Sequence, residues 1–170
     1  MQKVYQTDSY CREVATTING AFVFEGKTEL AIEDLLFHPA GGGQPDDLGI
    51  VVVQGIHFNI LSLRKHKGET RIVLDDDGTL AGETGFGDVI TCSLDWERRH
   101  CLMKLHSAAH VLMASARKII NGYVPGGMHI AGDLRTATIR FRRDHGPDAT
   151  QIEQIMRTAK EIVRSGLDII

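Results

Sequence analysis

The sequence predicts an α+β fold, with a small N-terminal β-barrel-like subdomain over residues 1–93 and an α/β two-layer subdomain, helices on one face of a sheet, over 94–170. Three observations carry this expectation. Short apolar runs separated by Gly- and Asp-rich turns fill the first half, the apolar period lengthens to that of a helix after Leu94, and a second amphipathic helix follows a late strand. With 170 residues, 42% of them hydrophobic and 24% charged, the chain can bury a core as one domain or two small ones.

The strands are read in order as follows. Asn19-Gly20 lies between apolar runs at 14–18 and 21–24, a pattern that favours a two-residue hairpin turn. Further strands are expected over 27–36, 49–53, 56–63, 71–74 and 89–94, and this many short strands point to a small barrel. Asp95 then caps a helix that has Glu97 in its first turn, Arg117 and Lys118 in its last, and Asn121-Gly122 as its stop. A strand over 134–142 places Ala137, Ile139 and Phe141 on one side and Thr136, Thr138, Arg140 and Arg142 on the other. The last helix is predicted to open on a Thr150-x-x-Glu153 capping box and to stop at Gly166. The apolar residues at 167–170 read as the start of a further strand, so the domain is expected to continue beyond Ile170.

Composition removes several function classes. No apolar run reaches the length of a membrane span and the N-terminus lacks a signal-peptide core, which makes the cytoplasm the expected location. Cys11, Cys92 and Cys101 form neither an even set nor a Cys-x-x-Cys pair, so they predict no disulfide framework and no zinc ribbon. A net charge of −3 argues against nonspecific gripping of long nucleic acids, DNA included, and leaves room for a local basic face. Asp75-Asp76-Asp77-Gly78 fails as a calcium loop, because Val73 and Thr84 would occupy ligand positions that require Asp and Glu. Asp46-Asp47 is read as a turn and Trp96 as a core anchor.

Two stretches carry chemistry. His106 and His110 lie four apart on the first long helix, so both imidazoles face the same side and could share one divalent metal. Each also borders the apolar stripe of Leu102, Leu105, Ala109, Leu112 and Ala116, where a polar residue needs no ligand to be explained. Ser107 stands where a zinc peptidase would carry its glutamate, which excludes that class. Cys101 lies about 500° round the helix from His106 and points elsewhere, leaving His129 and His145 as free candidates for a third ligand. The second stretch, Phe37-His38-Pro39-Ala40-Gly41-Gly42-Gly43-Gln44-Pro45-Asp46-Asp47-Leu48-Gly49, reads as a binding loop or as a structural turn. It is neither a P-loop nor a dinucleotide fingerprint.

Taken in this order and spacing, the glycine loop, Leu94-Asp95-Trp96-Glu97-Arg98-Arg99 and His106-Ser-Ala-Ala-His110 resemble the editing domain of alanyl-tRNA synthetase. They resemble still more closely the free-standing alanyl-tRNA editing proteins of the AlaX type. The resemblance covers about Thr28 to Val163 and implies a cytoplasmic hydrolase. Its reaction would be zinc-dependent deacylation of Ser-tRNA(Ala) or Gly-tRNA(Ala), with the acceptor end of tRNA(Ala) as partner. It further implies His106 and His110 as zinc ligands, Gln44 in the catalytic pocket and Gly41, Gly42 and Gly43 along the substrate. Thr28 becomes the expected sensor of the seryl hydroxyl, and Arg98, Arg99 and Lys104 the expected tRNA contacts. His38 and Ser107 replace the Tyr and Thr usual in the family, and the downstream Cys-x-x-x-His that completes its zinc site is not in this sequence. The second expectation is therefore a catalytically incomplete module that binds or regulates at the tRNA acceptor end.

Overall fold

The computed structural model describes residues 1–142 and 146–166. The chain divides into two compact units, Met1–Gly41 with Pro45–Arg99, and Gly42–Gln44 with His100–Ile170.

The first unit opens with β1 (Gln2–Lys3), α1 (Val4–Thr7), β2 (Glu13–Phe24), β3 (Lys27–Ile32) and β4 (Asp34–Leu35), and β1 pairs in parallel with β4. Next come β5 (Gly49–Val53), β6 (Ile56–His66), β7 (Glu69–Leu74), the single turn α2 (Leu80–Glu83) and β8 (Val89–Leu94). Six strands close an antiparallel barrel in the order β2-β3-β7-β6-β5-β8. Alternation fills its interior: Ile72 and Leu74 from β7 and Ile90 and Cys92 from β8 meet Ile18, Leu30, Ile32, Val51 and Ile60, all buried. Burial pushes the Cys92 thiol up to about 12, so it is an unreactive core group.

Asn19-Gly20 is not a turn. β2 runs straight through it, pairing with β8 over Glu13 to Thr17 and with β3 over Ile18 to Phe24, and the register shifts between Ile18 and Gly20. A bulge there bends the long strand from one neighbour to the other, which closing a barrel requires. The hairpin turn falls instead at Glu25-Gly26, whose φ angles of 50° and 73° are both left-handed, and the same geometry recurs at Gln54-Gly55 and Lys67-Gly68.

The outward face of β3 buries a carboxylate. Glu29 is fully inaccessible and receives both Nε and Nη2 of Arg64, with Arg71 Nη1 at 3.5 Å. The two guanidiniums lie 4.0 Å and 3.7 Å over the rings of Phe24 and Phe22.

The second unit takes in α3 (Trp96–Ile119), which begins in the first, and continues with β9 (Pro125–Ile130), β10 (Ala137–Phe141) and α4 (Ala149–Arg164). Asp95 caps α3 through the Arg98 amide at 3.0 Å, and the left-handed Gly122 follows its end. β9 and β10 form an antiparallel pair with a bulge between Arg140 and Phe141. Among the described residues this unit's sheet has two strands, which makes it a smaller layer than the sequence suggests. Ala116, Ile120 and Ile155 form its core with Leu112, Tyr123 and Phe141 against them. The cap of α4 is Asp148 rather than Thr150: its carboxylate accepts from Gln151 N at 2.8 Å while Gln151 Oε1 accepts from Asp148 N at 3.1 Å.

The Arg64 hydrogen bonds outweigh burial and hold Glu29 below the usual carboxylate range. A depressed native pKa stabilises the fold above the unfolded value of about 4.3, and that contribution disappears as pH falls through the native value. Glu29→Gln is expected to cost about 2 kcal/mol at neutral pH and to flatten the acid limb of stability below about pH 4.3, as read by urea unfolding across pH.

Candidate functional site

The stem of the glycine loop is fastened by its two aspartates. Asp47, 1% exposed, accepts from His38 N at 2.6 Å, and its own amide donates to His38 O at 3.0 Å. Asp46 accepts from Ala40 N and, at 3.1 Å, from Leu63 N. Arg99 Nε and Nη2 donate to Asp47 Oδ2 at 2.8 and 2.5 Å, and the same guanidinium donates to the carbonyls of Ser9 and Leu36, each at 3.0 Å. Arg98 Nε donates to the Asp46 carbonyl at 2.9 Å. The pair read as a turn is thus a clamp. Of the three expected tRNA contacts, Arg99 is 5% exposed with its guanidinium committed, Arg98 is half-buried on the loop, and Lys104 stands exposed. Beside the clamp, His38 packs edge-on to Tyr5 at 5.0 Å, and burial lowers its pKa against the opposing pull of Asp47.

The tip of the loop, Gly42 to Gln44, belongs to the second unit. The Gly43 carbonyl accepts from Ile130 N at 2.6 Å. Gly43 has φ +86°, and a Cβ there would come within 2.2 Å of the Met128 carbonyl oxygen, so the glycine is required by close backbone packing on β9. Gly42 faces His106, whose Cε1 would lie 3.8 Å from a Cβ at that position, and Gln44 is half-buried beside it in sequence. Gly41 is exposed.

His106 and His110 point their Nε2 atoms at each other across 3.0 Å, with ring centroids 4.8 Å apart. Two nitrogens on one tetrahedral zinc at about 2.0–2.1 Å each would stand about 3.3 Å apart, a separation the pair comes near. A hydrogen bond between two neutral imidazoles has the same geometry. Among the described residues no group of three His, Cys, Asp or Glu could hold a metal. The Cys101 thiol donates to the Leu134 carbonyl at 3.2 Å, His129 lies exposed on β9, and His145 falls outside the described residues.

Thr28 does not join this group. It is fully buried in the first unit, where its hydroxyl donates to Asp76 Oδ2 at 2.6 Å and accepts from Ala81 N at 3.2 Å, while its amide donates to Asp76 Oδ1 at 2.8 Å. The hydroxyl ties β3 to the Asp-rich turn and to α2.

No family model matches the chain. Among curated proteins it is similar to the alanine–tRNA ligases of Thermoplasma acidophilum, 28% identical over 167 residues, and of Methanobrevibacter smithii, 28% identical over 169 residues. Each alignment covers 98% of this chain and 18% of the ligase. The ligase of Sulfurisphaera tokodaii is 30% identical over 124 residues, which is 72% of this chain and 13% of that protein. The chain therefore spans less than a fifth of the length of these relatives.

Two outcomes follow from this geometry. Thr28→Val should lower stability by about 1–3 kcal/mol in urea unfolding, because it leaves Asp76 Oδ2 and the Ala81 amide without the hydroxyl while the Thr28 amide bond to Asp76 Oδ1 remains. Arg99→Met, which strands the buried Asp47 carboxylate, should cost more, about 3–5 kcal/mol by the same measurement.

Proposed function

For a chain that is a relative, along nearly its whole length, of one segment of alanine–tRNA ligases, we propose the function of an aminoacyl-tRNA deacylase. It would hydrolyse the ester of serine or glycine wrongly joined to tRNA(Ala), acting as a free-standing editing protein of the AlaX type. The observation that carries this reading is Gly42, at the tip of the glycine loop, facing His106 within one compact unit. That arrangement gathers amide donors and imidazoles where an ester carbonyl could lie.

An aminoacyl ester is already activated, so its hydrolysis needs a positioned water and donors for the developing oxyanion rather than a covalent nucleophile. The Gln44 amide and the loop backbone would be the donors, and Gly42 brings that backbone beside the His106 ring. His106 and His110 would hold zinc, which when bound supplies Lewis acidity. Thr28, the expected sensor of the seryl hydroxyl, has its own hydroxyl engaged with Asp76 and the Ala81 amide.

The described residues offer only two ligands of a zinc set, and this favours a second reading: a module that binds the tRNA acceptor end without hydrolysing it. Deacylation assays on Ser-tRNA(Ala), Gly-tRNA(Ala) and Ala-tRNA(Ala), with and without added zinc, separate the two. The deacylase reading expects zinc-dependent loss of the seryl or glycyl ester, sparing of the alanyl ester, and a fall of about 100-fold or more in His106→Ala, in the range of lost transition-state stabilisation. Absence of hydrolysis with zinc supplied would leave the binding module, and equal rates on all three esters would remove the editing role.

A further inference from the structure

The net charge of −3 conceals a division. The first unit carries nine Lys and Arg against sixteen Asp and Glu, whereas the second carries ten against six. The arginines expected to meet tRNA lie in the acidic unit and are committed to the loop clamp. A polyanionic partner is therefore better served by the second unit.

Within that unit, the β9–β10 ribbon has two unlike faces. Ile130, Met128, Ile139 and Phe141 are buried or half-buried, while His129, Thr138, Arg140 and Arg142 stand exposed. Register places Thr138 opposite His129, and Arg140 opposite Gly127, which has open space around it and no side chain to flank the guanidinium. Neither strand contains an acidic residue, and among the described residues neither Arg140 nor Arg142 forms an ion pair. Guanidinium forks match phosphate oxygens two at a time, and Thr hydroxyls serve phosphates and ribose 2′-hydroxyls.

We propose that the exposed face of this ribbon, centred on Arg140 and Arg142, binds the sugar–phosphate backbone of the tRNA. The proposal rests on the deacylase reading for the identity of the RNA and goes beyond it in assigning the surface. The bulge between Arg140 and Phe141 twists the ribbon at the point where the two guanidiniums project.

The test is fluorescence anisotropy of the full chain with a labelled, deacylated tRNA(Ala) transcript at 50 to 200 mM KCl, a range over which phosphate contacts show their salt dependence. Arg140→Ala with Arg142→Ala should raise Kd about 10- to 100-fold and lower the slope of log Kd against log salt by about 1.5 to 2. Arg140→Lys with Arg142→Lys should keep the slope, and circular dichroism reports whether each variant is folded. Lys3→Ala, an exposed charge of the acidic unit, should bind as the wild type does. Folded Ala variants with unchanged Kd and slope would overturn the ribbon assignment and leave deacylation standing, as would an equal loss in Lys3→Ala. A wild-type chain that binds no tRNA would overturn both.

Discussion

The buried pair of Arg99 and Asp47 is the constraint on which the arrangement of the first unit depends. One guanidinium reaches a carboxylate in the glycine loop, the carbonyl of Leu36 where the chain enters that loop, and the carbonyl of Ser9 in the N-terminal segment. Arg99 itself is in the first turns of α3, so four stretches far apart in sequence are fixed to one group. Burying two charges carries a desolvation cost, which is offset in part because all three guanidinium nitrogens donate and Asp47 Oδ2 accepts from two of them. Asp46 and Asp47 divide the work: one closes the loop stem on Ala40 and Leu63, the other on His38 and Arg99.

Much of the fold was legible because its signals are local. The strands at 49–53 and 89–94 and the bounds of α3 follow from alternation, a capping aspartate and an Asn-Gly stop. Asn19-Gly20 misleads because its composition suits both a tight turn and a bulge; barrel closure, a nonlocal demand, decides for the bulge and moves the turn to Glu25-Gly26. At the start of α4 two capping patterns overlap, and Asp148 wins two residues ahead of Thr150. β9 was invisible, since Pro125-Gly126-Gly127 carries no strand propensity and the element exists by pairing with β10.

The candidate site divides in the same way. The i, i+4 spacing of His106 and His110 is local geometry, and the structure places them as that spacing requires. Thr28, Arg98 and Arg99 are polar residues whose side-chain partners lie between 48 and 90 positions away; no pattern around them reveals that the hydroxyl and guanidiniums are already engaged. The one hint was Asp46-Asp47, two acids within a loop and two arginines in the next helix, complementary charges whose pairing a sequence cannot distinguish from solvation.

Gly43 has a consequence for how relatives of this chain are compared. Its lack of a side chain is demanded by the Met128 carbonyl and by backbone handedness, whatever the loop binds. A relative without any activity would still need glycine at this position to pack its loop on β9. Retention of this glycine is therefore a marker of architecture, and it cannot by itself separate working members of a lineage from silent ones.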